Sequence, residues 1–209
     1  MVRLVGKTAS TRLELLSGAV SVVLAILGLA GVFATSFVQI AAAATGLALL
    51  AYGGEMMGRV MDLAGRLSEE EAKRLRDLGL NGGGEYASAQ AAGISGVILG
   101  ILAILGVGAG TLPAVVAIIL GAALAYSAGS VSRFLALTLE VTNLSPIAKV
   151  VAQERISSAV GGYVLAGIAS VALGILALVL TEQAVVLTLV AFLVLGFSLL
   201  GGSILSTAS

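Results

Sequence analysis

Residues 92–106 read AGISGVILGILAILG and residues 166–180 read AGIASVALGILALVL, identical at nine of fifteen positions after a shift of 74. Moved back by 75, the first phrase falls on residues 17–31, SGAVSVVLAILGLAG. Gly18, Gly93 and Gly167 coincide, as do Val22, Val97 and Val171, and Leu24, Leu99 and Leu173. Ile26, Ile101 and Ile175 also coincide, followed by Leu27, Leu102 and Leu176. The run has no gap, and Gly46, Gly121 and Gly196 carry the register into the apolar stretch that follows each copy. A period near 75 residues predicts three equivalent helical hairpins.

The solvent around those hairpins follows from composition. Hydrophobic residues make up 59% of the 209 and charged residues only 11%, where a soluble domain carries about 25% charge. A water-soluble chain of this size has to face water with part of its surface, and lipid removes that demand. Six apolar stretches, near 15–34, 37–60, 88–108, 113–136, 157–180 and 183–206, each reach the length needed to cross hydrocarbon, which is roughly 20 residues. The expected fold class is therefore all-α integral membrane, with six transmembrane helices arranged as three tandem hairpins. The basic N-terminal stretch with Arg3, Lys7 and Arg12 precedes an apolar run too long for a signal peptide and without a small-x-small cleavage site.

Charge placement sets orientation. Arg3, Lys7 and Arg12 lie before the first span; Arg59, Arg66, Lys73, Arg74 and Arg76 between the second and third; Arg133, Lys149 and Arg155 between the fourth and fifth. The connections around Thr35–Ser36, Gly108–Leu112 and Thr181–Gln183 hold no Lys or Arg. Positive residues stay inside, so both termini are expected on the cytoplasmic face of a prokaryotic cytoplasmic membrane, with Glu182 the one charge outside. Every copy then starts on the same side, which makes the repeats parallel and implies a pseudo-threefold axis along the membrane normal. Many transporters use inverted repeats with broken helices instead.

One membrane domain spans 1–209, divided into a first repeat over about 12–62, a link over 63–86, a second repeat over 87–140, a link over 141–156 and a third repeat over 157–207. The first link predicts an amphipathic cytoplasmic helix at 67–80. Ser68 and Glu71 form a capping box, Glu69–Lys73 and Glu70–Arg74 are favourable pairs one turn apart, and Asn81 with Gly82 to Gly84 ends it. In the second link Ser145 is placed as N-cap and Pro146 at the first helical position.

Small residues recur every four positions in matching places: Ser17, Ser21 and Ala25; Ala92, Gly96 and Gly100; Ala166, Ser170 and Gly174. The fourth span adds Ala117, Gly121, Ala125 and Gly129, and the second ends with Gly54 and Gly58. Such ladders let helix backbones approach in lipid, where van der Waals contact drives association. They are expected to pack inside the bundle or between subunits. Tyr52, Glu55, Gln90 and Tyr126 form a candidate polar path, because an ionisable group in a span is functional by default. The competing expectation pairs Glu55 with Arg59 at the membrane surface and leaves the tyrosines as ordinary interfacial residues.

Chemistry is narrowly bounded. The chain has no Cys and no His, and its net charge is zero, so thiol chemistry and imidazole catalysis are absent. The glycine clusters lack the strand, helix and Lys of a phosphate loop, so neither nucleotide nor nucleic acid is an expected partner. No catalytic, metal or cofactor site is expected. The phrases from Ala92-Gly93-Ile94 to Leu99-Gly100-Ile101-Leu102-Ala103 and from Ala166 to Ala177, with the later Gly121 or Gly196, resemble the repeat of HdeD-like acid-resistance membrane proteins. That resemblance implies three hairpins over six helices and a stress-related role, and it transfers no catalytic residue. The functional expectation is a non-enzymatic membrane protein that assembles with copies of itself or with a membrane complex. The alternative is a channel or facilitator for protons or a small neutral solute.

Overall fold

The computed structural model describes residues 2–31, 33–65, 84–141 and 146–207, with side-chain surroundings for 16–31, 33–55, 57–58, 65, 87–128 and 160–201. The amphipathic segment expected at 67–80 and the Ser145 cap lie outside the described residues, as do the side chains of Arg59 and Gly129. Among the described residues six α-helices follow one another: α1 (Val2–Leu29), α2 (Ala34–Ala64), α3 (Gly84–Ile104), α4 (Leu112–Val141), α5 (Pro146–Val179) and α6 (Ala184–Thr207). A single 3₁₀ turn at Thr181–Gln183 precedes α6. No strand occurs among the described residues.

Among the described residues four stretches are long and apolar enough to cross a membrane: Ala34–Glu55, Ala87–Ile104, Val160–Val179 and Thr181–Gly201. Leu16–Leu29 and Leu112–Ala128 are shorter apolar stretches of the residues described. α5 begins at Pro146, where proline's missing N–H costs nothing because that donor has no intrahelical partner. Residues 146–156 of the expected second link are thus part of the fifth helix.

Two helix ends fall earlier than the apolar runs predict, and both for a backbone reason. α1 stops at Leu29, Ala30 and Gly31 turn, and α2 begins at Ala34, so Thr35 and Ser36 belong to the first turn of α2. Gly31, at φ +84°, takes the left-handed conformation that reverses the chain there. α3 stops at Ile104 instead of running to 108. Gly106 sits at φ +89°, its N–H donates to Ala103 O, and Val107 N–H reaches back to Leu102 O. That pair of bonds is a Schellman motif, which ends a helix wherever a glycine can adopt the left-handed conformation.

The helices form a closed circuit. α1 packs on α2 and α6, α3 on α2 and α4, and α5 on α4 and α6, while α2, α4 and α6 also touch one another. The large side chains with almost no exposure, Leu49, Leu120, Leu124, Leu189, Phe192, Leu195 and Leu199, all stand on those three inner helices. The outer helices expose wide apolar faces, including Ile94, Ile98 and Ile101 on α3 and Leu165, Ile168 and Ile175 on α5. A helix that is apolar on its outward side has hydrocarbon as its natural solvent.

Candidate functional site

The structure draws the small residues together along three seams between an inner and an outer helix. At the α2–α3 seam a Cβ on Gly93 would lie 2.6 Å from Leu50 N, one on Gly46 2.7 Å from Val97 N, and one on Gly100 2.7 Å from Ala43 N. At the α4–α5 seam a Cβ on Gly167 would lie 2.5 Å from Gly121 O, one on Gly121 2.7 Å from Gly167 O, and one on Gly174 2.6 Å from Ile118 Cγ1. At the α6–α1 seam Gly196 faces Val22 and Gly18 O, and Gly18 faces Leu200. The partners correspond. Leu50, Ala125 and Leu200, each 75 residues apart, are the residues against which Gly93, Gly167 and Gly18 pack.

Of the ladder positions, Ser21, Ala25, Ala92, Gly96, Gly100, Gly121, Ala166, Ser170 and Gly174 are buried, and Ser17 and Ala125 are half-buried. Gly58, by contrast, is exposed with nothing near it. The closest backbone approaches involve Gly100 and Gly121 of the expected ladders together with Gly46, Gly93 and Gly167, which mark the repeat register but stand outside those ladders. Their signal in the sequence is recurrence at one spacing in both helices of a hairpin, which only a paired reading of the two helices turns into a contact.

The contacts also place one depth across the bundle. Ser21 Oγ donates to Thr45 Oγ1 at 2.6 Å, and Val22, next along α1, meets the Cβ position of Gly196. Gly96 meets both Gly46 Cα and Leu120. Thr45, Leu120 and Leu195 therefore share a level, and none exposes more than 1% of its surface. One turn to either side Ala41, Val116 and Ala191, and then Leu49, Leu124 and Leu199, are just as buried. Ala42, Ala117 and Phe192 are also fully buried. One phenyl ring beside two methyl groups fills a space in which three large side chains would collide.

Among the described residues no charged side chain is buried in this interior. Its buried polar side chains are Ser21, Thr45, Ser127, Ser170 and Thr188. Thr45 donates to Ala41 O, Ser127 to Leu124 O and Thr188 to Ala184 O, each within its own helix. Ser170 donates across the α4–α5 seam to Ala117 O at 3.0 Å. A hydroxyl has one proton to give; Ser21 gives its proton to Thr45 and the other four give theirs to backbone carbonyls.

The residues of the candidate polar path sit in unlike surroundings. Tyr52 is buried and its ring packs against Tyr163, centroids 5.7 Å apart and planes tilted by 50°. Tyr126 is 61% exposed on α4. Gln90 lies half-buried on α3 with Nε2 3.4 Å from the Cβ position of Gly54. Glu55 is half-buried near the end of the apolar stretch of α2 and engaged with a neighbouring group. Tyr163 has no tyrosine counterpart in the other copies, which hold Ala89 and Glu14 near the corresponding positions, so the repeat pattern conceals this aromatic pair.

Fold and site together define a helical membrane protein whose described interior is built for close packing. No known protein family, curated protein or solved structure matches the chain.

Proposed function

We propose that this chain is a non-enzymatic structural protein of a prokaryotic cytoplasmic membrane, in which three parallel hairpins close around a pseudo-threefold axis. All six helices cross the bilayer in this reading, with both termini cytoplasmic. α1 and α4 have 28 and 30 residues, and at 1.5 Å per residue either exceeds the hydrocarbon thickness of about 30 Å. Triples of residues 75 apart that make corresponding contacts support the threefold relation. The resemblance to HdeD-like proteins adds a stress-related role.

The observation that carries the structural role is the closed axis: the inner helices meet through fully buried apolar side chains at successive levels. A channel needs a wet or polar line through that region, and a membrane enzyme needs converging polar groups. The small-residue ladders are occupied within the chain, so assembly with a second copy or a membrane partner uses the bulky apolar outer faces or the cytoplasmic links. Native mass spectrometry after gentle extraction tests this. A defined homo-oligomer or a reproducible companion protein is expected. A monomer that, once reconstituted, passes protons or a small neutral solute faster than empty vesicles do would overturn the structural reading in favour of the facilitator.

A further inference from the structure

The three seams share a register but differ in what closes them. At α2–α3 and α4–α5, backbone atoms occupy the space a Cβ would need: Leu50 N and Val97 N in one, Gly121 O and Gly167 O in the other, at 2.5–2.7 Å. Backbone cannot swing aside, so either seam parts only if a whole helix moves. At α6–α1 the nearest atoms are the ends of side chains. Leu200 Cδ2 lies 3.4 Å from the Cβ position of Gly18, Val22 Cγ2 2.8 Å from that of Gly196, and Leu189 Cδ1 2.8 Å from that of Gly28. The backbone oxygen nearest Gly196's Cβ position is Gly18 O, at 3.3 Å. The leucine ends can change rotamer without a helix moving, which backbone cannot. α2–α3 and α4–α5 are, moreover, pairs of consecutive helices, and α6–α1 is not. On its other side α1 is fixed to α2 by the Ser21–Thr45 hydrogen bond.

We infer that the circuit has one joint, the α6–α1 seam, where α1 swings away from α6 while remaining attached to α2. Opening there bares Val22 and the inner face of α6 to lipid and leaves the other two seams shut. This goes beyond the structural role proposed above and holds whatever partner the protein has.

The chain has no cysteine, so thiols can be introduced one at a time. Val22→Cys reports on the joint and Ser170→Cys on the α4–α5 seam, both at buried positions. In native-like bilayers, modification of Val22→Cys by N-ethylmaleimide should run at least about ten-fold faster than that of Ser170→Cys, as local opening at one seam alone requires. Equal rates overturn the joint. A second variant separates opening from fraying of α1. Gly18→Cys with Leu200→Cys places two thiols across the seam, and oxidation should slow amide exchange over residues 19–29 by about ten-fold, with reduction restoring it. Exchange unaffected by the bridge, or a bridge that does not form, overturns the proposal.

Discussion

Gly46 on α2 and Gly196 on α6 hold the same place in the repeat, yet they meet their neighbours differently. Gly46 is pressed against the backbone of α3, whereas Gly196 meets mainly a valine methyl on α1. The cause is visible one turn further along the outer helices. α3 has Gly100 and α5 has Gly174 where α1 has Ala25. A Cβ at Gly100 or Gly174 would come within 2.7 or 2.6 Å of the inner helix, so an alanine cannot be accommodated at that separation. Ala25 carries the methyl group that those two glycines lack, and at the α6–α1 seam the nearest approaches are to side chains.

α6 differs in a second way, and here the largest effect is expected. It fills the axis with Phe192 where α2 and α4 have Ala42 and Ala117. Phe192→Ala should destabilise the protein by about 3–5 kcal/mol, the usual cost of emptying a buried aromatic site, as read by denaturation in sodium dodecyl sulfate followed by circular dichroism. Ala42→Gly, on a helix that contributes little bulk there, should cost about 1 kcal/mol, mostly from helix propensity. Similar losses for the two would mean that Phe192 is not the filler of the axis.

Next come the glycines themselves. Gly93→Ala and Gly167→Ala should each cost about 1–3 kcal/mol, because the added methyl overlaps backbone and forces the helices apart. Gly18→Ala, at the equivalent place on α1, meets Leu200 at 3.4 Å and Gly196 O at 3.7 Å, ordinary van der Waals distances, and should be nearly neutral. Gly174→Ala should bring the α4–α5 seam towards the state of the α6–α1 seam, seen as faster maleimide modification of Ser170→Cys. Three equal penalties at Gly18, Gly93 and Gly167 would erase the distinction between the seams.

The difference between seams was not legible in the sequence, although much else was. Apolar stretches and their charged flanks mark six helices, and the recurrence of Gly18, Gly93 and Gly167 marks three comparable units. These features are periodic along one helix, so one helix suffices to read them. Which glycine touches backbone depends on the distance between two helices, and that distance answers to residues such as Ala25 and Gly174 that look alike in a small-residue ladder. The helix ends at Leu29 and Ile104 were hidden for a related reason: hydropathy continues past them, and only the left-handed Gly31 and Gly106 stop the helix. In the candidate polar path, residues chosen by type alone differ in burial, Tyr52 being buried and Tyr126 exposed on its helix.

Smaller effects belong to the hydroxyls. Ser170→Ala removes the bond to Ala117 O across a tight seam, and Ser21→Ala removes the bond to Thr45 that holds α1 to α2. Hydrogen bonds between helices in membranes average about 0.6 kcal/mol, so each change should cost roughly that much. Their consequences should still differ. Ser21→Ala should raise the modification rate of Val22→Cys by weakening the attachment of α1, whereas Ser170→Ala should leave that rate unchanged. An equal response would mean that the seams do not move independently.

The smallest expected effect has the opposite sign. Gly162 lies on α5 five residues before Gly167, and a Cβ there would meet nothing within 4 Å. A glycine inside a helix costs about 0.5–1 kcal/mol relative to alanine through lost backbone entropy. Gly162→Ala should therefore stabilise the protein by up to that amount, while Gly167→Ala on the same helix destabilises it. Both substitutions add the same methyl to the same helix, so intrinsic propensity favours both and cannot explain a difference in sign. Only the neighbour at Gly167, the carbonyl of Gly121 on α4, can. If both variants gained stability, the α4–α5 seam would be looser than its backbone contacts require, and the contrast with α1 would lose its physical basis.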